Sequence, residues 1–156
     1  MLPASSLYCS DNLFSPPQFM EIEFPIEFLV QGTPVSLQRK RRPAVAEWQE
    51  RVRAASTTAI PAPHRASEGR IAVTLYYLPG EPMEGDIDNI IKPILDALCR
   101  YIYIDDKQVE RVVVQKFEPG NIFNFTRPTT TFVTALTHAK PVLYVRISND
   151  SFEELA

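Results

Sequence analysis

Between positions 86 and 106 the chain carries five aspartates and a lysine, Asp86, Asp88, Lys92, Asp96, Asp105 and Asp106, in a stretch otherwise rich in isoleucine and leucine. At about 100° per residue, Asp88, Asn89, Lys92 and Asp96 fall within one quadrant of a helix, while Ile90, Ile91, Ile94, Leu95 and Leu98 fall opposite. One face packs and the other is open to chemistry. Asp86 and Asp88 are two apart, so in an extended segment both carboxylates point the same way. Carboxylates gathered at one point repel one another unless a cation sits among them, and oxygen-only ligands favour hard ions such as Mg²⁺ or Mn²⁺. Such an ion can orient and acidify a water and stabilise charge on a phosphoryl oxygen. A lysine one turn away complements that negative charge.

The same residues also fit a plainer role. Asp88 is a good N-cap, because its side-chain oxygen can accept an amide hydrogen of the first turn. Lys92 and Asp96 at i,i+4 make an ordinary surface pair. Pro93 lacks the N–H that a helix interior needs. The segment therefore predicts either a kink at Pro93, or a loose turn over residues 89–92 with the regular helix starting near Pro93.

The run Asp86-Ile87-Asp88-Asn89-Ile90-Ile91-Lys92-Pro93-Ile94-Leu95-Asp96-Ala97-Leu98, followed by Asp105-Asp106-Lys107-Gln108-Val109, resembles the signature of the RusA-type Holliday junction resolvases. The shared features are an Asp-x-Asp-Asn pair, a lysine four beyond the second aspartate, an Asp-Ala-Leu and an Asp-Asp-x-Gln-Val. The resemblance implies a small Mg²⁺-dependent endodeoxyribonuclease, with Mn²⁺ as a possible substitute, acting as a homodimer on four-way DNA junctions in recombination and repair. It makes Asp86, Asp88 and Asp106 the metal-binding carboxylates and Lys92 the catalytic lysine, with Asp96 and Asp105 in supporting positions. It implies no small-molecule cofactor. The alternatives are a metal-dependent nuclease on other branched DNA or on RNA, and a non-catalytic DNA-binding protein of the same fold.

Placing these residues requires a core, and 156 residues with 45% hydrophobic and 22% charged content suffice for one ordinary globular domain. No apolar run approaches the ~20 residues that span a bilayer, and no secretory leader is evident, so a cytoplasmic protein without membrane association is expected. Cys9 and Cys99 lack metal-ligand spacing, and a structural disulfide is not expected. The net charge of −3 runs against a nucleic-acid binder, but its distribution does not: from 36 to 70 there are eight basic and three acidic residues, a local balance of +5. Within it Arg39, Lys40, Arg41 and Arg42 form a block suited to phosphate contacts that position DNA without reading sequence.

Along the chain, residues 1–20 read as a flexible leader, with Met20 a second candidate start, and residues 150–156 as an acidic tail. The domain between, 21–149, opens with an alternating strand over 21–31. A helix then starts near Pro43, with Val45, Trp48, Val52 and Ala55 as its apolar stripe. A second alternating strand covers 69–78. The loop 79–85 is a connector whose Met83 could act as an apolar wedge between bases, and Glu84 is a possible extra ligand. A short extended piece over 101–104 follows the central helix. Residues 109–117 read as a strand buried on both faces because of Val112, Val113 and Val114, with Lys116 a candidate to face the site. A short helix over 129–138 and a strand over 141–148 close the chain. The expected class is α/β (α+β): one domain, a mixed β-sheet packed with helices in the order βαβαβ(α)β. His64 and His138 have no partner at ligand spacing and receive no role.

Overall fold

The computed structural model describes residues 15–36 and 42–153. The expected leader over its first 14 residues, Cys9, the basic residues Arg39, Lys40 and Arg41, and the last three residues of the tail lie outside that range. The elements are β1 (Met20–Glu21), β2 (Ile26–Gln31), α1 (Arg42–Ser56), β3 (His64–Arg65), β4 (Ile71–Leu78), α2 (Ile91–Leu98), β5 (Val109–Lys116), α3 (Thr130–Thr137) and β6 (Val142–Ser148). Two 3-10 turns, Ile87–Ile90 and Asp106–Gln108, precede α2 and β5. The main sheet has the order β2-β6-β4-β5, with β4 and β5 parallel and the other pairs antiparallel. It is a mixed sheet in a mixed α+β chain, as expected. Among the described residues no helix is long and apolar enough to cross a membrane.

Three layers result. Trp48 and Val52 of α1 and Ile94, Ala97 and Leu98 of α2 bury against Phe28, Val30, Val73, Leu75, Val145 and Ile147 on one sheet face. The opposite face is covered by Phe132 and Ala135 of α3 with Phe117, over Tyr76 and Tyr144. Parallel pairing of β4 with β5 needs a long crossover, and the segment carrying the aspartates is that crossover.

Four local expectations change. Pro25 divides the first predicted strand, since it can donate no ladder hydrogen bond; Met20–Glu21 pairs instead with β3, and only Ile26–Gln31 joins the main sheet. β4, which reads as a half-buried alternating strand, is buried at every position except Tyr76, because it lies between two neighbours and under both covering layers. β5 is the reverse: its valine run predicts burial on both faces, yet it is an edge strand with Val112 37% exposed. Residues 101–104 form a turn with isolated bridges at Tyr103, not a strand.

The C-terminal segment is folded back through Glu153. Its carboxylate takes two hydrogen bonds from Arg146, at 3.1 and 2.9 Å, and Arg146 also bridges Glu27 on β2. That joins β2, β6 and the tail on the α3 side of the sheet.

The exchanged burial of β4 and β5 makes a measurable difference. Leu75→Ala should cost about 3 kcal/mol, a typical core truncation, and Val112→Ala less than about 1 kcal/mol. Urea unfolding midpoints of the two variants against the parent check this.

Candidate functional site

The aspartate segment meets its proline where a helix tolerates one. The 3-10 turn Ile87–Ile90 runs into α2 at Ile91, and Pro93 is the third residue of α2. The first four N–H groups of a helix have no internal acceptor, so the missing donor costs nothing there. Of the two predicted arrangements, the turn followed by a helix beginning near Pro93 is the observed one. The capping role moves: Asp86 holds the N-cap position, its side chain makes no cap hydrogen bond, and Asp88 lies in the first turn. Both are exposed, with no cap bond tying up the Asp86 carboxylate.

Four residues after Asp88, Lys92 projects from α2 towards the start of β5. Its Nζ lies 2.6 Å from Oδ2 of Asp106 and 2.5 Å from Oδ1 of Asp96. All three side chains are between a third and a half exposed. The hydrogen bond to Asp106, then that to Asp96, raises the Lys92 pKa above the usual lysine range. The Lys92 hydrogen bond likewise lowers Asp106 below the usual carboxylate range. Tyr103 lies beneath, its hydroxyl donating to the Leu95 carbonyl at 2.9 Å and standing 3.4 Å from Oδ1 of Asp106. Burial, and then the Asp106 charge, raise the Tyr103 pKa, so its proton stays on.

The loop bearing Asp106 is fixed by a side chain to which the sequence reading gave no role. Gln108 Oε1 accepts hydrogen bonds from the amides of Ile104 and Asp105, both at 2.8 Å. Its Nε2 donates to the carbonyls of Ser67 and Gly69 at 2.8 and 2.7 Å. All four bonding positions of the amide are used. Asp105 closes a capping box with Gln108 and accepts from the Lys107 amide at 2.8 Å, holding the 3-10 turn on which Asp106 stands. The available signal was Asp105-x-x-Gln108, a capping-box spacing.

The sequence-predicted residues are thus partly assembled. Asp106, Lys92 and Asp96 meet, and the 3-10 turn carrying Asp88 packs against β5. Asp86, Asp88 and Asp106 do not close into a three-acid cage: among the described residues no group of three or more His, Cys, Asp or Glu is placed to hold a metal ion. The donors still suit a hard divalent cation in kind, because Mg²⁺ commonly takes only one or two protein carboxylates and fills its shell with water and phosphate oxygens.

Neighbouring expectations resolve as follows. Met83 is partly buried against the core, and its amide donates to Glu118 at 3.1 Å, so it is not displayed as a wedge. Lys116 pairs with Glu118 at 2.8 Å, away from Asp106. Glu84 is exposed and lines a cleft of about 350 Å³ with Thr33, Ser36 and Ile90. That cleft lies between residues 33–36 and the loop that delivers Asp86. Arg42, the one member of the block within the described residues, is exposed at the first position of α1. His64 contacts the Tyr101 carbonyl at 2.8 Å, apart from the acids, whereas the free Cys99 thiol hydrogen-bonds Asp106 and helps to lower its pKa.

The parallel crossover of the mixed sheet thus brings Lys92 to the acid ahead of the next strand, with the Asp-x-Asp turn packed on that strand. A protein-family model described as "Endodeoxyribonuclease RusA" matches residues 33–123, more than half of the chain. The chain belongs to the RusA endodeoxyribonuclease family, whose members act on DNA at Holliday junctions. The match spans α1, β4, the aspartate segment, α2 and β5 and leaves β2, α3 and β6 outside it. No curated protein matches the chain.

Two outcomes test this geometry. In Lys92→Met, the Asp106 carboxyl should titrate at a higher pH than in the parent, which carboxyl ¹³C NMR reads directly. Because folding lowers the Asp106 pKa, its contribution to stability is present above the unfolded carboxyl value and is lost as pH falls through the lower folded value. The parent's excess acid stability over Asp106→Asn should therefore shrink in that window.

Proposed function

We propose that the chain is a divalent-metal-dependent endonuclease that cuts four-way DNA junctions as a homodimer, one phosphodiester in each of two symmetric strands. The observation that carries this reading is the meeting of Lys92 and Asp106, which are 14 positions apart, beside the turn bearing Asp88. Asp86, Asp88 and Asp106 would hold Mg²⁺ or Mn²⁺. When bound, such an ion supplies charge stabilisation at a phosphoryl oxygen and a more acidic water.

The chain's own groups do the rest. With the acids occupied, the Lys92 ammonium is free to offset charge on the reacting phosphate. Asp96, whose carboxylate lies 2.5 Å from Nζ, would keep the ammonium beside the site. Gln108 and Tyr103 fix the backbone and lower wall from which Asp106 projects. Arg39, Lys40, Arg41 and Arg42 would grip the DNA backbone through phosphate contacts. Two sites related by a twofold axis fit a substrate with the same symmetry.

Labelled junction DNA tests the proposal. Paired nicks are expected with Mg²⁺ and none with EDTA. Asp88→Asn and Asp106→Asn should each slow cleavage at least about 100-fold, the upper end for disturbing even a metal's outer partners. Lys92→Met should cost about 10²–10³-fold, as for loss of a transition-state donor. Binding without turnover in Mg²⁺ would overturn the enzyme reading, and equal cutting of flaps or RNA would overturn the junction assignment. Replacing Arg39 and Lys40 by Ala should lower the salt slope of junction binding by about 2, one per phosphate contact removed.

A further inference from the structure

The homodimer proposed above needs a surface, and we infer that it is the free edge of β5, paired antiparallel with β5 of a second copy about a twofold axis at Val113. The inference rests on that homodimer reading and adds the place. β5 has β4 on one side and, among the described residues, no strand on the other. Edge strands are usually protected by proline, short length or charged side chains, and β5 confines its charges, Glu110, Arg111 and Lys116, to either side of the valine run. β5 is eight residues long, lacks proline and presents three successive valines.

Its sequence is complementary to itself. With Val113 opposite Val113 of the partner subunit, Val112 meets the partner's Val114, Arg111 meets the partner's Gln115, and Glu110 meets the partner's Lys116. Each contact occurs twice, as a twofold interface requires. Opposite charges and β-branched pairs across antiparallel strands are stabilising. The Glu110 and Lys116 side chains are 45% and 40% exposed; within their own chain Glu110 meets Arg70 at 3.7 Å and the Ser151 hydroxyl at 2.9 Å, and Lys116 meets Glu118 at 2.8 Å. The irregularity at the Ile71/Ala72 end of the β4 pairing lies beside Glu110, away from the proposed axis.

A second observation agrees with this register. Ile122 and Phe152 are the most exposed large hydrophobic side chains described, at 92% and 84%. They lie at opposite ends of β5. Ile122 follows the strand's exit, next to Phe123, whose ring packs on Phe117 at 4.8 Å. Phe152 follows Ser151, whose hydroxyl donates to Glu110 at the strand's start, at 2.9 Å. Antiparallel pairing brings the exit of one copy beside the start of the other, so each Ile122 approaches the partner's Phe152. The same pairing joins two four-stranded sheets into one of eight, with an Asp106 site near each end of the joined strands.

Cysteine cross-linking in the full chain, with Cys9→Ser and Cys99→Ser, tests both edge and register. Opposed central residues have Cα atoms about 4.5–5.5 Å apart, within disulfide reach. Val113→Cys should give a covalent dimer under mild oxidation. Gln115→Cys should not, because the two Gln115 positions are offset by four residues, about 13 Å. Sedimentation should show a dimer that Glu110→Lys or Lys116→Glu weakens at least about 10-fold and that the double swap restores. A dimer that cross-links at neither position, or equally at both, would overturn the β5 edge and leave the homodimer standing. A monomer at all concentrations would overturn both, and junction cleavage, assayed separately, reports on the nuclease reading alone.

Discussion

The ammonium of Lys92, held between Asp96 and Asp106, is the contact on which the site depends. Acids brought together from separate segments need positive charge between them, and here the chain supplies it from the middle of the crossover that joins two parallel strands. The hydrophobic side of α2 fixes where that charge stands. Ile94, Ala97 and Leu98 are fully buried against the sheet, so the helix cannot rotate without exposing core, and the opposite side, with Lys92 and Asp96, must face the start of β5. Packing therefore does the positioning, and the ion pair reports where packing has put its members.

The same logic explains the effort spent on the loop before β5. After α2 the chain turns at Arg100, whose positive φ of 64° is unusual for a residue with a side chain. It then returns beside the helix, buries Ile102 and Tyr103, and meets Gln108. Gln108 ties this return to Ser67 and Gly69, just ahead of β4. The segments entering β4 and β5 are thus clamped at one end of the sheet, where Asp106 stands. On the other face, Arg146 with Glu27 and Glu153 performs a comparable closure between β2, β6 and the tail.

Much of this was legible in the sequence, because period and spacing are local. The i,i+4 relation of Lys92 and Asp96 was readable, as were the apolar stripe through Trp48 and Val52 and the alternation of Ile26, Phe28 and Val30. The misplaced features depend on neighbours that a local pattern does not specify. Whether three valines mark a centre or an edge depends on which strands lie alongside, and β4 and β5 exchanged those roles. Met83 looked available in a Pro- and Gly-containing loop, but Glu118, 35 positions away, holds its amide and the core takes its side chain. Pro25 was a visible breaker inside an alternating run, and there the alternation was followed too far. Gln108 stood in plain view within Asp105-x-x-Gln108, but its reach back to Ser67 and Gly69 is a tertiary fact.

The proposed function turns on one cation that Asp86 and Asp88 share with Asp106. The most direct measurement is anomalous scattering from crystals of the full chain soaked in Mn²⁺. The account predicts a Mn²⁺ peak bounded by the Asp86, Asp88 and Asp106 carboxylates, with Lys92 Nζ withdrawn from Asp106. A fully soaked crystal with no peak there, or with the ion held elsewhere while Lys92 still bridges Asp96 and Asp106, would contradict it.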